Sequence, residues 1–320
     1  MGPDPKKLFS HGTIWLDTSA LLPILAEQAF SEDQRPFTDM MRALRQSKTR
    51  LVVTEGCVEE VEGHLNLCKT YTRTSSWKGR VPYLVSQYIT AGKPLSSFSP
   101  WLENFVGPNR PLDDIADFFF EIAGISVATI PVLDRVSPDT QTEIRDYWQR
   151  VQDGRRNEGE SANIFAYRLA EHDTENYLAV LTERKAVPGN SALGYSSWLL
   201  TLDRAAWTLL NSLSEEARNE VRFSPVISLD FLFKYLAFGP RRDLVESVEK
   251  GYTRIFSSSV FETIPLDLIE VADSVRRDNA GLPERLIQRR IRDELDKQKG
   301  ALGEVHKAGL NGGSAFKATV

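Results

Sequence analysis

Thr13 to Leu25, TIWLDTSALLPIL, joins an apolar run to an acid, two hydroxyls and a second apolar run. The pattern predicts a buried strand that ends at Asp17 and turns directly into a helix. No other segment constrains the fold as much, because an open parallel sheet places ligands beyond the carboxyl ends of its strands, where the chain turns back into helix. The same device recurs in SWLLTLDRAA, where an apolar run from Ser197 reaches Asp203 ahead of the helix RAAWTLLNSL. Asp17, Thr18 and Ser19 also suit the plain role of helix caps, since all three residue types accept bonds from first-turn amides. A chemical role therefore depends on other acids reaching the same edge.

Two helices supply candidates. Arg50 to Thr54, RLVVT, reads as a second strand, followed by the helix CVEEVEGHLNLC with Val58, Val61, Leu65 and Cys68 on its buried face. Glu60 lies about 100° from Val61 around that helix, at the border of core and solvent, whereas Glu59 and Glu62 read as solvated. In NEGESANIFAYRLA, Asn157 followed by Glu160 matches a helix start and places Glu160 in the first turn, where capping and the macrodipole also favour an acid. Arg155 and Arg156, just before it, either hold a phosphate or balance the local acids. Ile125 to Val132 is open between a strand and the buried end of a helix hairpin. Pro225 to Asp230 reads as a last short strand, with Asp230 as a cap.

Two strands ending in Asp17 and Asp203, with Glu60 and Glu160 on helices, would bring four carboxylates to one sheet edge. Clustered acids repel and raise one another's pKa values, so such a set calls for a cation. Hard divalent ions such as Mg²⁺ or Mn²⁺ take carboxylate oxygens and bridge to phosphate. The four histidines, His11, His64, His172 and His306, form neither an HExxH nor a zinc-finger spacing, which disfavours zinc. His64, one turn after Glu60, has an approach to the site only as its lesser reading.

A chain of 320 residues with 41% hydrophobic content can bury a sizeable core. Its net charge of −5 exerts no overall pull on a polyanion, so a nucleic acid must be held by a local basic patch or through metal ions. Arg42, Arg45, Lys48 and Arg50 gather near the end of a helix over 36–47 and read as a solvated face that complements the helix dipole, with a phosphate patch as the alternative. Cys57 and Cys68 share one helix roughly 16 Å apart, too far for a disulfide, and are expected as buried thiols in a reducing cytoplasm. The most apolar later stretch, Ile115 to Leu133, is broken by Asp117, Glu121 and Gly124, so no membrane span is expected. The start MGPDPKKLF lacks a hydrophobic signal core.

With these residues in hand, the chain resembles the PIN domain family of metal-dependent nucleases. The resemblance rests on WLDTSALL, VVTEGCVEEVEGHL, NEGESANIFAYRLA and LLTLDRAA, in that order and in strand or helix settings that agree. It implies a three-layer α/β/α fold with a central parallel sheet. It also implies Asp17, Glu60, Glu160 and Asp203 as metal-binding acids for Mg²⁺ or Mn²⁺, with Thr18, Ser19 and Thr201 as supporting hydroxyls; Glu158 is the alternative register for the third acid. The activity implied is RNA cleavage leaving a 5′-phosphate. A DNA nuclease and a PIN-like scaffold or nucleic-acid-binding module without catalysis are the alternatives. The expected organisation is a nuclease domain over 10–232 with a helical insertion at about 71–150, a helical extension over 233–305 and a flexible tail over 306–320. Such additions suit gating by a regulatory protein partner or by homo-oligomerisation.

Overall fold

The computed structural model describes residues 12–74, 81–130, 132–155, 160–187, 189, 194–238 and 266–311. Among them the strands are β1 (Thr13–Leu16), β2 (Arg50–Val53), β3 (Ser126–Val127), β4 (Ser197–Leu200) and β5 (Val226–Ile227). The helices are α1 (Thr18–Glu27), α2 (Pro36–Gln46), α3 (Glu55–Arg73), α4 (Tyr83–Thr90), α5 (Phe98–Leu102), α6 (Pro111–Ala123), α7 (Pro138–Gly154), α8 (Glu160–Ala186), α9 (Arg204–Ser212), α10 (Glu215–Val221), α11 (Leu229–Phe238), α12 (Leu266–Asp278) and α13 (Glu284–Asn311). The molecule is mixed α/β, with one all-parallel five-stranded sheet flanked by helices.

The strand order is β3-β2-β1-β4-β5. Central strands of a parallel sheet are covered on both faces and so read as unbroken apolar runs. IWL of β1 and the whole of SWLL in β4 are buried accordingly. The register pairs Thr13 with both Arg50 and Ser197, and Leu16 with Leu200, so Asp17 and Thr201 emerge side by side. The chain leaves β1 towards β2 on one side and leaves β4 towards β5 on the other. This reversal is the topological switch point at which such sheets open a crevice. It is formed between the two strands that end in the repeated Asp device.

Ile125 to Val132 resolves as an edge strand of two residues, with Ala128 continuing the ladder by donating to the Val53 carbonyl. The edge position explains why its pattern was ambiguous, since Val127 is exposed rather than packed. Arg42 and Arg45 serve α6: the first donates to the Ile122 carbonyl at 2.8 Å and the second lies over the Phe120 ring. Both thiols are free and buried on α3.

The chain divides into two compact units. One comprises Met1–Asn66 with Glu103–Val260 and contains the whole sheet; the other comprises Leu67–Leu102 with Phe261–Val320. Within the second unit α12 and α13 pair as a hairpin, tied by Arg276, which donates to the Glu284 carboxylate at 3.0 Å and to the Gly92 carbonyl. Tyr88, Phe98 and Trp101 pack their rings 5.0–5.4 Å apart beside it. The α13 helix runs on to Asn311, past the expected start of a flexible tail at 306. Within the helical extension expected over 233–305, the stretch DLVESVEKGYTRIF, residues 243–256, lies outside the described residues. Among the described residues no helix is long and apolar enough to cross a membrane.

Candidate functional site

The site begins with Asp17, 8% exposed at the end of β1. It caps α1 through the Ser19 amide at 3.3 Å. The same oxygen, Oδ2, also accepts from the Ser19 hydroxyl at 2.5 Å and from the Thr201 hydroxyl at 2.8 Å. Thr201 in turn accepts from the Asp203 amide at 3.0 Å, and Ser19 Oγ accepts from the Leu202 amide at 2.9 Å. The ends of β1 and β4 are thus stitched together by two hydroxyls. Thr18 takes no part: its buried Oγ1 has no hydrogen-bond partner among the described residues.

Asp203 caps α9, accepting from the Ala205 amide at 2.9 Å, and the same Oδ1 accepts from Arg155 Nη2 at 2.7 Å. Arg155 is therefore engaged with an acid at this edge. Arg156 and Glu158 lie outside the described residues, and so does the side chain of Glu160. The backbone places Glu160 at the start of α8, thirteen residues before Asp173 and about 20 Å from it along an ideal helix.

Asp173, unremarked in the sequence reading, is the acid of α8 that faces the others. Burial lifts its carboxyl well above the ordinary range, and the charges of Asp17, Glu60 and Asp203 push the same way, against a 2.6 Å hydrogen bond from Gln152. Burial likewise raises Asp17 from 3.8 to about 6, with Glu60 and Asp203 adding to the rise and the Ser19 and Thr201 hydroxyls opposing it. Carboxylates shift one another in this way only at close range.

Glu60 reaches over from α3, its Oε1 3.3 Å from His172 Nδ1. Burial works to lower the pKa of His172, but Glu60, Glu59 and Glu175 outweigh it and hold the imidazole above its ordinary value. Gly56 makes room for this ring, since a Cβ there would lie 2.5 Å from a His172 ring carbon. His64 is pushed downwards by burial against the pull of Glu60. Beneath the edge, Cys57 Sγ lies 3.1 Å from Asn176 Nδ2, and Asn176 Oδ1 accepts from Thr54 at 2.9 Å. Burial, Asp17 and Glu60 push the Cys57 thiol up to about 12, so it packs as an inert group. Beside Glu60 a cavity of about 490 Å³ opens between the start of α3, the residues after β3 and α8, lined by Glu55, Glu59, Ala128, Arg168 and His172.

The four carboxylates share one feature. Each commits a single oxygen to other side chains or amides, Asp17 Oδ2, Glu60 Oε1, Asp173 Oδ2 and Asp203 Oδ1, and the other oxygen of each has no hydrogen bond among the described residues. As oriented, no three His, Cys, Asp or Glu side chains among the described residues converge on one metal position. Among the described residues the donor chemistry is nevertheless that of a hard cation: carboxylate oxygens without hydrogen bonds, with His172 and His64 at the margin.

The repeated strand-Asp-helix device, the switch point and the clustered acids define a parallel α/β protein with an acidic sheet edge. No family model, curated protein or solved structure matches the chain.

Proposed function

We propose that this protein is a divalent-cation-dependent nuclease with a three-layer, PIN-like architecture, acting on RNA at the edge bearing Asp17, Glu60, Asp173 and Asp203. The observation that carries the reading is the gathering of Asp17 and Asp173, both raised by burial and by the neighbouring Glu60 and Asp203, at the switch point, with one oxygen of each of the four acids held and the other without a hydrogen bond among the described residues. Held oxygens fix the orientation of each acid; free ones are what a cation requires. Mg²⁺ or Mn²⁺ would be taken by these four acids after modest side-chain rotation, with Asp173 in the place foreseen for Glu160. Such an ion supplies positive charge for the phosphate oxygens and eases deprotonation of an attacking water. The chain's own contribution is positioning. Ser19 and Thr201 hold Asp17, Arg155 and the α9 amide hold Asp203, Gln152 holds Asp173 and His172 holds Glu60.

The ion pair of Arg155 with Asp203 favours a second reading, a gated enzyme or a nucleic-acid-binding module, because a guanidinium there competes with a metal ion for the same acid. Cleavage of labelled single-stranded RNA, with single- and double-stranded DNA alongside, in Mg²⁺ and Mn²⁺, separates the readings. Loss of metal-dependent RNA cleavage by about a hundredfold or more in Asp17→Asn and Asp203→Asn supports the nuclease. Cleavage of DNA in preference to RNA overturns the substrate. A folded protein that cleaves nothing and fails to bind Mn²⁺ supports the module; intact Mn²⁺ binding without cleavage supports gating by a protein partner or by self-association.

A further inference from the structure

At the opposite edge of the sheet, the amino-terminal one, lies a basic cavity of about 530 Å³ that the acidic site does not use. Its lining includes Arg135, Arg184, Lys185, Tyr195, Glu220 and Arg222. Arg184 is the informative member. It is 5% exposed, donates through Nε to the Ser197 carbonyl at 2.8 Å and through Nη1 to the Ser224 carbonyl at 3.0 Å, and stacks between the rings of Tyr195 and Trp198. Its Nη2 is buried without a hydrogen-bond partner, and no carboxylate pairs with it among the described residues. A buried guanidinium without an anion is costly, and proteins normally supply one.

The cavity's acid cannot supply it. Both oxygens of Glu220 are taken, by the amide and hydroxyl of Ser137, by Thr140 and by Lys185. Burial alone would raise the pKa of Glu220, but those donors hold it near 2, so its single charge is spent on Lys185. That leaves Arg184 at the floor, with the exposed Arg135 and Arg222 beside it. Neither of those two has an ion pair among the described residues. Leu181, Val136 and Val221 add apolar wall. Pockets of a few hundred Å³ with apolar walls and a few convergent polar groups are the usual form of a small-molecule site.

We propose that this cavity binds a small organic anion of about nucleotide size, its phosphate or carboxylate facing Arg184, Arg135 and Arg222 and its body against Leu181, Val136 and Val221. The site is separate from the acidic edge, and its occupancy does not depend on the nuclease reading. Arg184 also ties β4 to the segment before β5, so replacing it risks the fold; the two exposed arginines do not carry that risk. Arg222 has φ of 61°, where glycine is unstrained, so Arg222→Gly removes charge while relaxing the backbone.

The test is calorimetric titration of the full chain, in EDTA to exclude metal-assisted binding, with adenosine monophosphate, inorganic phosphate and citrate. The expected result is saturable one-to-one binding of at least one of the three, weakened about tenfold or more in the Arg135→Ala, Arg222→Gly double variant, with a melting temperature no lower than that of the wild type. Tighter binding of the nucleotide or phosphate than of citrate identifies a phosphate ligand, and the reverse order a carboxylate. Equal affinity in the double variant overturns the proposal. So does an absence of binding by all three at about 10 mM. A single-stranded oligonucleotide that binds through these arginines, and is not displaced by the small anions, overturns it in favour of a nucleic-acid surface.

Discussion

Asp17 shows why a helix cap and a functional acid are not rival descriptions. Its Oδ2 does the capping while Oδ1 has no hydrogen bond among the described residues, so the residue stabilises α1 and still belongs to the acidic edge. The arrangement carries a cost in stability. A folded-state pKa of about 6, raised from 3.8, means that the native chain holds this proton more tightly than the unfolded chain. The group's contribution is therefore most favourable below about pH 4 and is lost as pH rises through about 6. Two units correspond to about 3 kcal/mol. Asp17→Asn is expected to melt a few degrees above the wild type at pH 7.5 in EDTA and no higher at pH 4. Thermal unfolding at the two values checks it, and a variant that melts lower at pH 7.5 refutes the electrostatic account. Added Mn²⁺ should raise the melting temperature of the wild type and leave the variant unmoved.

At the scale of elements, α3 and α8 decide how much of the site was legible. The strand-borne acids could be read because β1 and β4 are central: buried on both faces, their apolar runs stand out and stop abruptly at Asp17 and Asp203. Glu60 was found from its angle to Val61. Asp173 was missed because an acid in a first turn, Glu160, matched a helix-start pattern, while α8 has little amphipathic contrast to direct attention along its length. The signal was present: Asp173 falls between Ala170 and Tyr177, both buried, on the core-facing stripe where a charge is out of place. The edge strand β3 could not be read because two half-exposed residues carry no period. Asp173→Asn should abolish metal-dependent cleavage as fully as Asp17→Asn, and Glu160→Gln should not; the paired assay decides which acid of α8 acts. Glycines of α3 give a second contrast. Gly63→Ala meets nothing within 4 Å among the described residues and should stabilise by about 0.5–1 kcal/mol. Gly56→Ala drives a methyl into the His172 ring and should destabilise by about 1–3 kcal/mol. Denaturant titration measures both.

Taken whole, the molecule has a net charge of −5 and an acidic sheet edge, so it has little long-range attraction for a nucleic acid. Anisotropy of a labelled oligoribonucleotide should accordingly show binding in Mn²⁺ that is lost in EDTA. Metal-independent binding of equal strength would show that a basic surface, not the acidic edge, recruits the strand. The division into two units could not be read from composition, because residues 67–102 and the C-terminal helices are neighbours only once folded.

The hydroxyl stitch between β1 and β4 also sets a timetable. Asp17 is translated 184 residues before the Thr201 hydroxyl that holds it, and the Leu200 carbonyl and Asp203 are made together with Thr201. A nascent chain that has emerged only as far as α8 cannot assemble the edge. On the nuclease reading, a ribosome stalled before Asp203 displays no working enzyme, and the messenger is safe from its own product until that codon has been read.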